Sequence, residues 1–484
     1  MKHQTEGLVA CEGKRNFAFL MEQGTGKTWL TLADVERCFI AGKIDALLVV
    51  APKGVHTNWV RREIPTHLSV EAITAAWRGR PTTTKDKARI ERLYATHHPR
   101  PMLRVFAINI DALNTEHGHA AAERFLETFR TMMVVDESTR IKNPASKRTK
   151  KTVGLGRKAE ARRILSGTPL TKAPTDLFSQ FDFLKPGLLG TTSYRAFMAE
   201  YAVLVPPHSP KMQAILRKTR GRGGIPQVVE TDEEGNKLWK NLDRLRDAIK
   251  PHSFRVRKDE CLDLPPKVYK TVTFELTPKQ RVVYDRLKED YAYVTSDFED
   301  MSFQAIAART KMKQVTSGFI FVDGTPTLVE EDQASSPRME VFKELIEDVE
   351  GQFIVWAMFE EELNQIAKAL DDAGISNVLY YGKTRPDARE RAIDDFQAGK
   401  VRVFVGHAAA AGIGLTLTAA NTAIYYSCSY DNELRMQSED RCHRIGTVKS
   451  VLYIDIIAED TIDEDIARSL QVKTMLADFV IDGR

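Results

Sequence analysis

A short glycine-containing segment near the start of the chain limits most strongly what it can fold into. Residues 21–28 read Met-Glu-Gln-Gly-Thr-Gly-Lys-Thr, between an apolar run over residues 17–20 and a segment of helical character over residues 29–40. Gly24 and Gly26 have no Cβ atom, so the backbone can turn successive N–H groups toward a phosphate. A strand, a glycine loop and a helix in this order predict a nucleoside-triphosphate site of the P-loop type, although the strict pattern begins with glycine and this one with methionine.

A second segment completes the expected site. Residues 132–137 are an apolar run that ends in Asp136 and Glu137, and ligands collect where the strands of a parallel sheet end. Lys27 is expected to contact the β- and γ-phosphates, while the Thr28 hydroxyl and Asp136 hold Mg²⁺. Glu137 is expected to act as general base toward the attacking water. Two acids at a strand end are usually only a solvated terminus, so the preceding P-loop is what favours the catalytic interpretation.

Two further segments carry polar residues suited to such a site. Gln437, Arg441 and Arg444 would lie at positions i, i+4 and i+7 of a helix and so project from one face. Two arginines there suit stabilisation of the charge that develops on a γ-phosphate, an effect of ~10³–10⁵ in rate. Ion pairs with neighbouring acids on an exposed helix would explain the same residues equally well. The Ser-Gly-Thr-Pro segment at residues 166–169 either couples the nucleotide site to a second ligand or is a plain turn.

Composition restricts the class of protein. A chain of 484 residues, 43% of them hydrophobic, is long enough for two or more domains with cores of their own. Its five cysteines are scattered without a C-x-x-C pair, which favours a reducing compartment and argues against a zinc site. There is no signal-like apolar region at the N-terminus, and no apolar run reaches the ~20 residues of a membrane span. We therefore expect a cytoplasmic protein that does not enter a membrane.

Alternating apolar and helix-compatible segments predict an α/β fold with parallel sheets. The alternation is clear over residues 1–185 and resumes over residues 335–484, which predicts two α/β lobes. Residues 186–265 are predicted to form a mainly helical insertion and linker. Residues 266–334 are predicted to form a helical insertion that leads into the second lobe.

Taken together, the motifs resemble those of the SWI/SNF-type branch of the superfamily 2 helicase-like ATPases, closest in form to compact annealing-helicase-like and bacterial or phage members. The ordered match starts at Gln4, which falls where the family has its adenine-reading glutamine, and continues through the P-loop. Departures from the family pattern are Thr139 in place of a histidine and Thr447 in place of a glutamine. The other matching segments are motif Ia at residues 49–53 with Trp59, motif II at 136–143, motif III at 165–170, the linker at 254–258 and 264–267, motif IV at 355–357, motif V at 412–420 and motif VI at 437–446.

The resemblance implies two RecA-like lobes that use ATP and Mg²⁺ and act on double-stranded or forked DNA. It assigns catalysis to Lys27, Asp136, Glu137, Arg441 and Arg444, with both arginines supplied by the second lobe. It assigns contacts with the nucleotide to Gln4, Gly24, Thr25, Gly26, Lys27, Thr28, Gly412, Gly414 and Gln437. By position alone it assigns contacts with the DNA backbone to Lys53, Arg140, Lys142, Thr168 and Thr418. Backbone contacts read no bases, so little sequence specificity is expected.

Basic residues are dense over residues 140–163, where there are ten Lys or Arg and the single acid Glu160. Such density predicts a strip that binds DNA phosphates. A solvated surface run, or an import-like tag at residues 147–151, would give the same composition. A second basic cluster at residues 211–222 either clamps a duplex or belongs to a disordered loop.

These observations predict a DNA-dependent ATPase that translocates along or remodels double-stranded DNA or protein–DNA complexes without full strand separation. The alternative within the same enzyme class is a strand-separating DNA or RNA helicase. A DNA-bound scaffold with a vestigial ATPase would be a different class, and the intact Lys27, Asp136 and Glu137 argue against it. The compact form favours a bacterial or virus-infected cell over a nucleus.

Overall fold

The computed structural model describes residues 1–95, 101–218, 226–233, 235–297, 303–330, 336–410 and 415–483. The chain divides into two compact units. The first unit comprises Met1–Val203, Glu230–Asp263 and the segment from Lys473 onward. The second unit comprises Leu204–Val229 and Leu264–Val472.

The first unit is built on a seven-stranded sheet in which every neighbouring pair of strands is parallel. The order across the sheet is β3-β4-β2-β5-β6-β1-β7. The strands are β1 Asn16–Met21, β2 Ala46–Ala51, β3 Ala72–Ala76, β4 Leu103–Asn109, β5 Thr131–Asp136, β6 Ala161–Leu165 and β7 Ser253–Val256. The α-helices are α1 Lys2–Ala10, α2 Lys27–Ile40, α3 Val55–Asn58, α4 Ile64–His67, α5 Thr84–Glu91, α6 Glu116–Thr128, α7 Lys147–Gly156, α8 Asp176–Leu184, α9 Tyr194–Tyr201, α11 Leu242–Ile249 and α12 Lys258–Cys261, while α10 Pro210–Lys218 belongs to the second unit.

Two apolar cores cover the two faces of this sheet, because successive side chains of a strand point to opposite faces. In β2, Leu48 and Val50 belong to one core and Leu47 and Val49 to the other. All six residues of β5 are buried, so its two faces are both covered. A strand that is apolar on both faces ends at Asp136, and this brings that acid to the carboxyl edge of a central strand.

The second unit has a six-stranded parallel sheet in the order β12-β13-β11-β14-β15-β8, together with the antiparallel pair β9-β10. Its strands are β8 Lys267–Phe274, β9 Phe319–Val322, β10 Thr325–Leu328, β11 Phe353–Ala357, β12 Asn377–Tyr380, β13 Val403–His407, β14 Thr422–Tyr425 and β15 Val451–Ala458. Its further helices are α13 Pro278–Asp297, α14 Phe303–Thr316, α15 Pro337–Asp348, α16 Glu360–Asp372, α17 Pro386–Gln397, α18 Asn432–Glu439 and α19 Ile462–Ala477, and the last residues of α19, from Lys473 onward, group with the first unit. The predicted α/β class, with parallel sheets in two units, is confirmed.

The segments between the two predicted lobes differ from the sequence-based expectation. Residues 253–256 add the edge strand β7 to the first sheet, and residues 267–274 add the edge strand β8 to the second. Most residues of β8 are exposed, and its Lys and Thr residues interrupt its Val, Tyr and Phe residues, so this edge strand lacks the continuous apolar run of a central strand. The chain from Lys473 onward groups with the first unit, although the sequence placed it in the second lobe.

A buried ion pair joins α2 to β6 inside the first unit. Asp34 is fully buried and its Oδ2 lies 2.8 Å from the guanidinium of Arg163, which is 1% exposed. The same guanidinium donates to the carbonyl oxygens of Lys14 and Arg15, at 3.0 and 2.8 Å. The pair therefore ties the start of β1 and β6 to the helix that follows the P-loop.

Replacing Asp34 with alanine is expected to lower the free energy of unfolding by about 3–5 kcal/mol, because Arg163 would remain buried without its carboxylate. Chemical denaturation of the full chain would measure this. The control is Glu91→Ala, which removes an exposed partner of Arg124 and is expected to cost less than about 1 kcal/mol. Equal losses for the two variants would contradict the structural role assigned to the Asp34–Arg163 pair.

Candidate nucleotide-binding and catalytic sites

The P-loop joins β1 to α2 through two glycines in the left-handed region, Gly24 with a φ of 84° and Gly26 with a φ of 89°. A Cβ atom on Gly26 would lie 2.1 Å from Nε2 of Gln4 and would displace that side chain, and the φ of 89° itself favours glycine at this position. Gln4 therefore lies directly against the loop with which the resemblance associates it. Gly26 is also the N-cap of α2, whose first N–H groups form an anion-binding helix terminus.

Side chains around the P-loop hold its shape. The Thr25 hydroxyl donates to the carbonyl oxygen of Glu22 at 2.8 Å, and Thr25 is buried. Nε2 of His3 lies 2.8 Å from the Thr25 carbonyl oxygen. The side chain of Thr25 thus packs inside the loop, and His3 is a neighbour that no sequence pattern indicated.

The last two P-loop residues, Lys27 and Thr28, stand at the start of α2. The Lys27 ammonium donates to the carbonyl oxygens of Met21 and Glu22, at 2.7 and 3.2 Å. Thr28 follows in the first helical turn and is half-buried. Lys27 therefore lies at the carboxyl end of β1, beside the backbone from which the loop departs.

Asp136 is held at the end of β5 by two N–H donors. Its Oδ2 accepts from the indole Nε1 of Trp59 at 2.8 Å, and its Oδ1 accepts from the backbone N–H of Glu137 at 3.0 Å. Burial raises the pKa of Asp136, while the Trp59 donor, the Lys27 charge and the Glu137 N–H oppose that rise. The Lys27 ammonium is thus near enough for its charge to favour the ionised form of the strand-end acid.

These donors fit Mg²⁺. A carboxylate and a hydroxyl, from Asp136 and Thr28, are the hard oxygen ligands that Mg²⁺ prefers, and it is usually held by one or two carboxylates together with substrate phosphates. Among the described residues no group of three or more His, Cys, Asp or Glu is placed to hold a metal ion. The donor set therefore suits a metal that arrives with a phosphate ligand.

Glu137 has a backbone φ of 50°, in the left-handed region that residues other than glycine rarely adopt. It precedes a 3₁₀ turn over Ser138–Ile141 and is half-buried. Strained backbone of this kind is concentrated at functional sites. We call residues 136–142 the acidic turn.

The Ser-Gly-Thr-Pro segment follows β6, the strand between β5 and β1 in the sheet. A Cβ atom on Gly167 would come within 3.3 Å of the backbone nitrogen of Gln23, so this glycine allows the segment to approach the P-loop. The Gly167 carbonyl oxygen accepts from Arg255, which also pairs with Glu22 of the P-loop and with Asp482. We call residues 166–172 the motif III loop; it stands between the P-loop and the acidic turn.

In the second unit, the prediction that Gln437, Arg441 and Arg444 share one helical face is wrong. α18 ends at Glu439, and both arginines lie in the turns that follow. Thr447 stabilises these turns, because its Oγ1 accepts from the backbone of Arg444 and donates to a carbonyl oxygen at 2.5 Å. The predicted helix therefore extends past Glu439, where α18 ends in the structure.

The two arginines converge nonetheless. Nη1 of Arg441 and Nη1 of Arg444 lie 3.4 and 3.2 Å from the same carbonyl oxygen, that of Leu415, and Arg444 also donates to the Thr416 hydroxyl at 2.9 Å. Arg441 is buried and Arg444 is half-buried. Motifs V and VI therefore meet around these guanidinium groups. Gly412 and Gly414, predicted nearby, lie outside the described residues.

Glu439, one of the two acids of motif VI, does not pair with these arginines. Glu439 accepts from Lys267 at 2.8 Å, from Arg435 at 2.7 Å and from the Tyr269 hydroxyl at 2.9 Å. Gln437 donates to Glu433, its neighbour on α18, at 3.2 Å. The alternative in which Asp440 and Glu439 pair with the arginines on an exposed helix is therefore wrong for Glu439, while Asp440 lies 3.8 Å from the Lys267 ammonium.

Glu439 makes the stability of the second unit dependent on pH. Burial opposes its ionisation, but the charges of Lys267 and Arg435 lower its pKa from an ordinary 4.5 to about 2. A depressed carboxyl pKa contributes stability above pH 4.5, and that stability is lost as the pH falls toward 2, on the order of 3 kcal/mol in all.

We expect Glu439→Gln to be less stable than the wild type at pH 7 and to lose less stability between pH 5 and pH 3. Chemical denaturation across this range would measure both effects. Asp387→Asn, at an exposed pair with Arg391, serves as control and should follow the wild-type pH dependence. A Glu439→Gln curve parallel to that of the wild type would contradict the assignment.

The residues expected to contact DNA occupy loops at the sheet edges. Lys53 follows β2, Arg140 and Lys142 follow β5, and Thr168 follows β6, so these four lie at the carboxyl edge of the first sheet. Lys53 and Arg140 are exposed, whereas Lys142 is half-buried and donates to the Thr171 hydroxyl at 2.5 Å. Thr418, in the second unit, accepts from Gln397 at 3.3 Å.

The prediction of one phosphate-binding strip over residues 140–163 is wrong for several of its members. Arg163 is buried against Asp34, and Arg162 donates to carbonyl oxygens at the end of α8. Lys158 pairs with two acids of α6, and Arg148 pairs with Asp111. Only part of the basic run is available to a ligand. In the second basic cluster, residues 219–222 lie outside the described residues.

In the part of the chain that the structure describes, no helix is both long enough and apolar enough to cross a membrane.

Comparison with known proteins bears on the resemblance. The SNF2-related domain family matches residues 3–325 and the Helicase conserved C-terminal domain family matches residues 337–446. Chromodomain-helicase-DNA-binding protein 6 of Rattus norvegicus is 24% identical over 98% of this chain and 17% of its own length. Protein CHROMATIN REMODELING 24 of Arabidopsis thaliana is 25% identical over 96% of this chain and 45% of its own length. The chain thus spans less than half the length of each of these relatives.

Among solved structures, the Sulfolobus solfataricus SWI2/SNF2 ATPase core in complex with dsDNA is similar over 99% of this chain and 91% of its own, at 22% identity and a TM-score of 0.39. The two family matches confirm the resemblance and the two RecA-like lobes that it implies. Since the first of them covers more than half of the sequence, the chain belongs to the SNF2-related family of helicase-like ATPases.

Proposed function

We propose that this chain is a DNA-dependent ATPase that moves along or remodels double-stranded DNA, or protein–DNA complexes, without fully separating the strands. One observation carries the proposal. The P-loop, the motif III loop and the acidic turn follow β1, β6 and β5, which are three consecutive strands at the carboxyl edge of one parallel sheet. Residues proposed to bind ATP and residues proposed to contact the DNA backbone thus lie on the same set of loops.

The P-loop is proposed to bind the triphosphate of ATP. Lys27 would exchange the carbonyl oxygens of Met21 and Glu22 for the β- and γ-phosphates, and the N–H groups at the start of α2 would donate hydrogen bonds to the phosphate oxygens. Gln4, which packs against Gly26, is proposed to contact the adenine base. These contacts provide binding and orientation of the substrate.

Hydrolysis is proposed to depend on the acidic turn. When bound, Mg²⁺ would neutralise charge on the phosphate oxygens. Asp136 and Thr28 are the residues that would hold it, and Trp59 fixes the orientation of the Asp136 carboxylate by hydrogen bonding. Glu137 is proposed to accept the proton of the attacking water. Arg441 and Arg444 are proposed to stabilise charge on the γ-phosphate during turnover.

DNA is proposed to be bound through its phosphates. Lys53 and Arg140 are exposed cations on loops that also flank the nucleotide site, and Thr168 stands in the motif III loop. Contacts of this kind carry no base sequence, so affinity should fall steeply with salt and vary little with DNA sequence.

A triplex-displacement assay tests movement along duplex DNA. The chain, with ATP, is given a duplex that carries a third strand, and a forked duplex and an RNA duplex in parallel. Displacement of the third strand without separation of the fork supports the proposal. Separation of the fork or of the RNA duplex would favour the strand-separating helicase, and no displacement in any reaction would contradict movement along nucleic acid.

A further inference from the structure

A buried glutamine connects the acidic turn to the motif III loop. The hydroxyl of Ser138 donates to Oε1 of Gln180 at 2.7 Å. Nε2 of Gln180 donates in turn to the carbonyl oxygen of Pro169 at 2.7 Å and to that of Asp176 at 2.8 Å. Ser138 and Gln180 are both fully buried, so these bonds are shielded from water.

The two ends of this connection have neighbours with proposed roles. Ser138 follows Glu137, the proposed general base, and Pro169 follows Thr168, a proposed DNA contact. Gln180 therefore links Ser138, next to the proposed general base, to Pro169, next to the proposed DNA contact.

A second connection runs beside the first. Lys142, at the end of the acidic turn, donates to the Thr171 hydroxyl at 2.5 Å, and that hydroxyl donates to the Asp176 carboxylate at 2.9 Å. The same carboxylate accepts from the backbone N–H groups of Thr171 and Lys172. Asp176 and Gln180 are four residues apart on α8, so one face of this helix holds both loops.

We propose that Gln180 is a positioning residue that couples DNA binding at the motif III loop to the orientation of the acidic turn. The inference rests on the proposed function. A shift of the Pro169 carbonyl when DNA binds would be transmitted through the rigid side-chain amide to Ser138 and hence to the backbone of Glu137. An apolar side chain of similar size would fill the same space and transmit no such constraint, because the link depends on one acceptor and one donor in fixed geometry.

The test compares Gln180→Met with wild type in ATP turnover, without DNA and at saturating duplex DNA. We expect basal kcat and the KM for ATP to stay within about twofold, and DNA stimulation to fall by about 2- to 30-fold, the range of coupling changes from residues outside both sites. Ser138→Ala should reduce stimulation similarly. The double variant should lose no more than the larger single loss, because both changes break one link.

Ser179→Ala provides a matched control. Ser179 neighbours Gln180 on α8 and is buried, and its hydroxyl has no hydrogen-bond partner among the described residues, so its loss should leave both basal and stimulated turnover unchanged. Thermal unfolding of every variant reports on folding. A Gln180→Met protein that is stimulated as strongly as wild type would overturn the inference. So would a loss of basal and stimulated turnover in equal proportion, since that is the signature of a merely structural residue.

The outcome also separates this inference from the function on which it rests. A wild-type protein whose ATP turnover does not respond to DNA would contradict both. A wild-type protein that responds, together with a Gln180→Met variant that responds equally, would contradict only the role of Gln180.

Discussion

Replacing Arg444 with alanine is expected to lower DNA-stimulated ATP turnover by ~10³–10⁵-fold. The reason is that its guanidinium would act on charge that develops only in the transition state, so kcat should fall while the KM for ATP changes little. Steady-state ATP hydrolysis with duplex DNA would measure both parameters.

The structure supplies two comparisons for this result. Arg441→Ala should produce a loss of the same kind, because the two guanidinium groups meet at the Leu415 carbonyl oxygen. Arg391→Ala removes an exposed arginine from α17 and should leave turnover unchanged. A rise in KM at constant kcat would instead show that Arg444 binds ground-state ATP, and normal turnover would remove it from the mechanism.

Replacing Glu137 with glutamine is expected to lower turnover by about 10²–10⁴-fold, because the amide cannot accept a proton from the attacking water. Nucleotide binding should persist, since Lys27 and the α2 terminus are untouched. Single-turnover hydrolysis and binding of a fluorescent ATP analogue would separate the two properties. The control is Glu160→Gln, which changes an exposed acid outside the site.

Two other outcomes for Glu137→Gln would contradict its role as general base. Wild-type turnover in Glu137→Gln would mean that another group activates the water. Loss of nucleotide binding would mean that the left-handed backbone at this position, with its φ of 50°, supports the shape of the site and not the chemistry.

The strands and loops of the candidate nucleotide site could be located from sequence because their signals are local. The P-loop and the strand that ends in Asp136 are short contiguous segments, and a parallel sheet brings its carboxyl strand ends to one edge whatever lies between them in sequence. The role expected of Gln4 came only from the resemblance, and its packing against Gly26 could not be predicted from any local pattern.

Other features depend on tertiary structure and so escaped the sequence. Helical periodicity does not show where a helix stops, which is why Arg441 and Arg444 were placed on the helix that precedes them. A count of basic residues does not separate the exposed Arg140 from the buried Arg163. No sequence pattern indicated a role for Gln180, because that role depends on its hydrogen bonds to Ser138 and Pro169, which lie outside its own helix.

The proposed function requires that DNA stimulate ATP hydrolysis at the P-loop site. ATP turnover should be measured without nucleic acid and with duplex, forked and single-stranded DNA and duplex RNA, at two salt concentrations, with Lys27→Ala beside each. We expect strong stimulation by duplex or forked DNA that is weakened by salt and absent from Lys27→Ala. Turnover that is indifferent to DNA, or that survives in Lys27→Ala, would contradict the account.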